Sequence, residues 1–230
     1  MEQELVNYRL SDCRVFFDFD NTITVGDVLY ELIECYSLSE DWIKLEKAWQ
    51  LGEITTKQCL IGQMKEVRIS RKDLSRYLAA VEIDAYFVKI IELLGKVGVT
   101  PVILSDNFEP IIQEIFANNN IRGLPVFANH LEFKGEELIP SFPYSNPDCP
   151  FCAHCKKTHF IHDRSIEHPI LYVGDGRSDI CAAMESDIVF AKDTLLAYLN
   201  KHGRDCIEFT ALADVYKHLK GKVYEPASAR

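Results

Sequence analysis

The feature that most constrains this chain is the run from Arg14 to Thr24, R-V-F-F-D-F-D-N-T-I-T. Val15, Phe16 and Phe17 make a short apolar segment rich in strand formers, and it stops at Asp18. A strand buried on both faces of a parallel sheet reads this way, with its polar residues released at the C-terminal edge. Open α/β sheets bind ligands at that edge. Asp18 and Asp20 stand there with Phe19 between them, and an i, i+2 pair on an extended chain points to one side. Two like charges so placed either end a strand and open a turn, or share a hard divalent cation such as Mg2+, which takes oxygen ligands.

The same ending occurs twice more. An apolar run over 99–104 leads into L-S-D-N (Leu104 to Asn107), and one over 170–173 leads into V-G-D-G-R-S-D (Val173 to Asp179). Further strands are expected at 126–128, 188–191 and 206–209, and a hairpin at 131–133 with 137–139. Helical patterns fall at 84–96, 108–118, 156–163, 178–185, 194–200 and 211–220, a loop at 141–150, and a tail at 221–230. Strands alternating with helices predict an α/β fold, a parallel sheet covered on both faces.

Between the first two strands lie four helical patterns without strand signals, at 28–36, 41–51, 55–67 and 70–81. Thr55 is a helix N-cap signal, and Ser70 with Asp73 makes a capping-box-like start. The expected organisation is a core of residues 1–25 and 82–230 with a small helical cap of residues 26–81 above the active edge. The Trp and Tyr residues of the cap are expected mainly to form its own small core.

The 230 residues suffice for such a core and insert, and 47% hydrophobic with 26% charged content describes an ordinary globular protein. A net charge of −10 argues against nucleic acid or an anionic membrane as partner, and no apolar run approaches a membrane span. The N-terminus M-E-Q-E-L-V-N-Y has no signal-peptide pattern, so a cytoplasmic location with eight reduced cysteines is the expectation.

Phosphate-ester cleavage needs a nucleophile, charge neutralisation on the phosphoryl oxygens and a proton for the leaving oxygen. Asp18 is placed to attack phosphorus, Asp20 to protonate the leaving group, and the Ser105 hydroxyl to hold a phosphoryl oxygen. Taken together, D-F-D-N-T, S-D-N and G-D-G-R-S-D, in this order, resemble the haloacid dehalogenase superfamily of phosphohydrolases over about residues 12 to 195. The resemblance implies a Rossmann-like core and an aspartyl-phosphate intermediate. It also implies Asp18 as nucleophile, Asp20 as acid and base, Thr22 and Ser105 at the phosphate, and Lys156, or else Lys157, as the balancing cation. It implies Mg2+ on Asp18, Asp175 and the carbonyl of Asp20, with Asp179 binding through water or orienting the lysine. Asp106 and Asn107, which replace the two glycines of serine-phosphate relatives, are further candidate phosphate contacts.

The position of the insert resembles the phosphoserine-phosphatase-like branch. Alignment puts Gln63 where that branch has a carboxylate-binding Arg, and a neutral amide is a poor carboxylate clamp. C-x-x-C-K with G-D-G-R-S-D resembles the methionine-salvage enol-phosphate phosphatases, and S-D-N the phosphocholine and phosphoethanolamine phosphatases. Asp27, Tyr30, Glu31, Gln63 and Arg68 are candidate substrate selectors, and the expected partner is a small phosphorylated metabolite. A catalytically inactive phosphate-binding regulator and a phosphotransferase stand as alternatives. C-P-F-C-A-H-C-K offers Cys149, Cys152 and Cys155, with His154, His159 or His162, either as a zinc knuckle or as reduced cysteines beside the site.

Overall fold

The computed structural model describes residues 8–147, 152–161 and 168–224. Strand β1 (Arg14–Phe17) lies mid-sheet because Val15, Phe16 and Phe17 are all buried. Alternate side chains leave a strand on opposite faces. Val15 and Phe17 accordingly enter one apolar layer and Phe16 the other. Burying one such phenylalanine contributes roughly 2–3 kcal/mol, so the pattern resists any shift of register.

The other strands are β2 (Val102–Phe108), β3 (Val126–Lys134), β4 (Glu137–Ser141), β5 (Ile170–Gly174), β6 (Ile188–Ala191) and β7 (Ile207–Glu208). Among the described residues they form one sheet in the order β4-β3-β2-β1-β5-β6-β7, parallel throughout except for β4. This is the α/β architecture that the alternation predicted.

Between β1 and β2 come α1 (Val28–Tyr36), α2 (Asp41–Gln50), α3 (Thr56–Glu66), α4 (Arg71–Leu78) and α5 (Ala85–Gly95). Helices α1, α3 and α4 start where their caps dictate: Asp27 accepts from the Tyr30 amide, Thr55 forms a full capping box with Gln58, and Ser70 accepts from the Asp73 amide. Helices α6 (Glu109–Asn118) and α10 (Leu212–Tyr224) share the larger apolar layer with α5. On the other face lie α7 (Thr158–Ile161), α8 (Ile180–Glu185) and α9 (Asp193–Lys201), through Phe160, Ala182, Leu195 and Leu199. Among the described residues no helix is long and apolar enough to cross a membrane.

Four details differ from the sequence reading. Strand β2 runs on through Ser105, Asp106 and Asn107 to Phe108, with a register shift against β3 between Leu104 and Phe108. Strand β3 is continuous, pairing with β2 at its start and with β4 further along, rather than a short strand followed by a separate hairpin. Helix α10 continues to Tyr224, past the expected start of a tail at Gly221. Finally, the insert has aromatic pairs of its own, Tyr30–Trp42 and Tyr36–Tyr77, yet Trp42, Leu60 and Met64 belong to the same apolar layer as the sheet.

Candidate active site

Asp18 leaves β1 with its amide still donating to the Val173 carbonyl of β5 at 2.9 Å, so its carboxylate stands at the sheet edge, 5% exposed. The chain then turns tightly. The Phe19 carbonyl accepts the amides of Thr22, Ile23 and Thr24, and Asn21 takes a left-handed conformation (φ 54°), which short amide side chains tolerate best after glycine. The turn delivers Asn21 and Thr22 to Asp175. Asn21 Nδ2 donates to Asp175 Oδ2 at 2.7 Å, and the Thr22 hydroxyl donates to Asp175 Oδ1 at 3.1 Å. Thr22, expected at the phosphate, here orients the Asp175 carboxylate.

Lys156 is buried, and its ammonium donates to Asp18 Oδ1, to Asp179 Oδ1 at 2.5 Å and to Ser178 Oγ at 3.2 Å. Lys157 is half-buried and outside this cluster. Asp179 Oδ1 also accepts from the Tyr172 hydroxyl at 2.6 Å, while Oδ2 accepts the amides of Asp175 at 3.0 Å and Gly176 at 2.9 Å. A carboxylate has about four lone-pair directions, so Asp179 is saturated. Its approach depends on the missing side chain of Gly174, where a Cβ would lie 2.6 Å from Asp179 Oδ2.

Burial alone would push the Lys156 ammonium down, but Asp179 and Asp18 hold it well above its usual range, so it stays charged. Asp18 is pushed well above the carboxylate range by burial and then by Asp179, against the pull of Lys156. Asp175 is raised to about 6 by burial and by Asp179. Three carboxylates against one ammonium leave an excess of two negative charges, and one oxygen from each of Asp18, Asp175 and Asp179 lies within 4.8 Å of the others. An all-oxygen set of this charge fits Mg2+. Asp18 and Asp175 retain lone pairs for direct ligation, whereas Asp179 has none left and acts by holding Lys156.

Asp20 is half-buried and outside the three-carboxylate cluster. Its Oδ1 accepts from Asn107 Nδ2 at 3.0 Å and from the Val28 amide at 3.1 Å. Burial and the Asp27 charge push it well above the carboxylate range and so favour the proton-carrying form, against the Asn107 hydrogen bond. Ser105 is buried at the cleft, and its Oγ accepts the Asn107 amide at 3.0 Å.

Asp106 borders the cleft, but its carboxylate turns back and accepts the amides of His154 at 2.7 Å and Ala153 at 3.4 Å. Burial raises it to about 6, against the pull of Lys156 and those amides. Expected as a phosphate contact, it lines the cleft and its carboxylate holds the segment that carries Lys156. The sequence reading could not see this, because two adjacent strand residues point to opposite sides and the partner lies 48 residues on.

The cleft above this floor is roofed by α1 to α3, through Asp27, Leu29, Tyr30, Ile33, Glu46 and Trp49, and by Gln63 and its neighbours on α3. Of the expected selectors, Asp27, Tyr30 and Gln63 line it. Glu31 and Arg68 do not: Arg68 bonds the carbonyls of Lys65 and Val67 and approaches Glu137. Arg177 reaches up from the Asp175 loop and donates to the carbonyls of Trp49 at 2.9 Å and Gln50 at 3.0 Å, with its guanidinium 5.6 Å from the Trp49 ring. Sequence reasoning passed over Glu46, Trp49, Arg177, Tyr172 and Asn21. The i, i+3 spacing of Glu46 and Trp49 on α2 and the motif position of Arg177 were the available signals.

Cys149 and His162 lie outside the described residues. Cys152 and Cys155 are buried, and His154 Nε2 faces His159 Nε2 at 2.7 Å. Among the described residues, the group able to hold a metal is the Asp18–Asp175–Asp179 cluster.

Fold and floor together are those of a haloacid dehalogenase superfamily phosphatase. The profile of the family described as "Putative Phosphatase" matches residues 13–199, and the chain belongs to that family. It is similar to the 2-hydroxy-3-keto-5-methylthiopentenyl-1-phosphate phosphatase of Bacillus pumilus, 27% identical over 218 residues, covering 88% of this chain and 91% of the relative. It is similar also to Pdp3-interacting factor 1 of Schizosaccharomyces pombe, 26% identical over 223 residues, covering 90% and 94%. A substrate-bound phosphoserine phosphatase structure superposes with a TM-score of 0.70 at 19% identity, covering 90% of this chain and 98% of that one. The likeness to that structure is one of fold.

Proposed function

We propose that this phosphatase is Mg2+-dependent, hydrolyses a small phosphate monoester through an aspartyl-phosphate on Asp18, and uses residues 26–81 as a cap over the cleft. The observation that carries the reading is the division between two aspartates two residues apart. Asp18 faces the Lys156 ammonium, while Asp20 faces an amide, a backbone N–H and the Asp27 charge. That division suits a nucleophile and a general acid.

Asp18 forms a bond to phosphorus as the bond to the leaving oxygen breaks, and Asp20 gives its proton to that oxygen. Asp20, now ionised, takes a proton from water. The water oxygen bonds to phosphorus and frees Asp18 and phosphate. Lys156 holds Asp18 in place and offsets phosphoryl charge, and Ser105 offers a hydroxyl to a phosphoryl oxygen. Mg2+, held by Asp18 and Asp175, would supply further charge neutralisation.

For the substrate, the reading is a methionine-salvage-type enol-phosphate. Relatives bearing that name and the apolar wall of Leu29, Ile33 and Leu60 support it. The test is phosphate release with and without Mg2+ from a panel of this enol-phosphate, phosphocholine, phosphoethanolamine, phosphoserine and sugar phosphates. One substrate should stand out, and Asp18→Asn should lower its turnover by about 10³-fold or more. Full turnover in the variant, or in chelator, overturns the mechanism. Preference for another ester overturns the enol-phosphate assignment.

A further inference from the structure

The roof and the floor of the cleft are charged differently, and the roof has an acid that the reaction does not use. Glu46 sits half-buried on α2. Its Oε2 accepts from Nε2 of Gln63, 2% exposed on α3, at 3.1 Å, and its Oε1 accepts from Gln50 Nε2 at 3.2 Å. Two amides thus fix the carboxylate, and each oxygen keeps a lone pair. The roof residues that line the cleft include Asp27 and Glu46 and no Lys, Arg or His. Among the described residues the arginine lining the cleft is Arg177, which belongs to the floor loop and is turned toward the end of α2. The roof also lines the cleft with Leu29, Tyr30, Ile33, Trp49 and Leu60, beside Thr56 and Cys59.

Resting on the phosphatase reading above, we propose that Glu46, oriented by Gln63, is a specificity-determining residue. It accepts a hydrogen bond from a hydroxyl or ammonium of the leaving group and turns away leaving groups that carry a carboxylate. The substrate class is therefore a phosphate monoester whose leaving group has an apolar part, a hydroxyl or ammonium donor and no carboxylate, which the 2-hydroxy enol-phosphate satisfies. A leaving-group carboxylate would meet two roof acids while the Arg177 guanidinium is turned to the end of α2, an arrangement that repels like charge where water is scarce. A donor there completes the Glu46 lone pairs, and a hydrogen bond to a charged acceptor in such a place is worth at least tenfold in binding.

Ethanolamine phosphate and serine phosphate differ only by one carboxylate and make a matched pair of probes. Wild-type protein should prefer ethanolamine phosphate by at least tenfold in kcat/KM. Glu46→Gln should collapse that ratio toward one, and Glu46→Arg should invert it. Because the readout is a ratio within each variant, a smaller folded fraction scales both substrates equally and the ratio still reports the folded site. An unchanged ratio in the variants, or no preference in the wild type, overturns the proposal. The same ratio of Kd values on Asp18→Asn protein is read without turnover, so failure of the chemistry, seen as no phosphate release from p-nitrophenyl phosphate, is distinguished from failure of this subsite.

Discussion

The floor and the roof of the cleft are held together in opposite ways. On the floor nearly every polar atom has an assigned partner: Asp179 takes four donors, Asp175 two from the β1 turn, and Lys156 three acceptors. In the roof, Glu46 has two amides and the rest of the wall is largely apolar. The contrast teaches where each job resides. Chemistry that must place charge within fractions of an ångström is built from a closed network on rigid strand ends. Discrimination among leaving groups is left to a few side chains on helices.

Breaking the floor should therefore cost far more than editing the roof. The largest effect is expected from Lys156→Met, which leaves three carboxylates without their cation. Removing one partner of a buried ion pair costs about 3–5 kcal/mol, so the urea midpoint should fall together with turnover. A variant as stable as the wild type would show that the network is not shared. Asp20→Asn comes next. It should keep the fold and lower turnover of alkyl phosphates by about 10²–10⁴-fold, the usual worth of a general acid. The loss should be smaller for p-nitrophenyl phosphate, whose leaving oxygen needs no proton, and equal losses on both would sink the assignment of Asp20 as acid.

A milder outcome is expected where roof meets floor. Arg177→Ala removes two hydrogen bonds to the end of α2 and the contact with Trp49. It should raise KM several-fold with a smaller change in kcat, as loosening a closure does. An unchanged KM would mean that the roof is held by its apolar layer alone.

The smallest effect concerns the segment behind the floor. Burial, then His159 and Lys156, hold the His154 imidazole well below its ordinary value of 6.5. Unfolding lets it take up a proton below that value, so its contribution to stability is complete above about 6.5 and is lost as pH falls. The raised carboxyls work with the opposite sign and are common to both proteins when wild type is compared with His154→Phe. Between about pH 7.5 and about pH 5.5 the wild type should lose more of its denaturant midpoint than the variant does. Equal losses would remove His154 from the account.

The same contrast governs what could be read from the residues alone. Asp18, Ser105 and Asp175 were legible because each follows a short apolar strand, and strand ends converge on one edge whatever the loops do. Lys156 was legible only through the resemblance, since its segment has no strand to fix it. The bonds from Asp106 to the segment of Lys156 went unseen because strand alternation beyond Ser105 was not foreseen. S-D-N looks like a loop, and β2 continues through it to Phe108. Glu46, Trp49 and Arg177 escaped for another reason. Which face of α2 overlooks the cleft depends on tertiary packing, and the carbonyls that Arg177 meets lie 127 and 128 residues away.

The Arg177 tie has a thermodynamic consequence. It starts two residues after Asp175 and ends on α2, the helix that carries Glu46. Any coupling that this tie carries between the two ends is reciprocal. If a leaving group held by the roof tightens cation binding at Asp175 by some factor, the cation must tighten leaving-group binding by that same factor. Arg177→Ala should shrink both together.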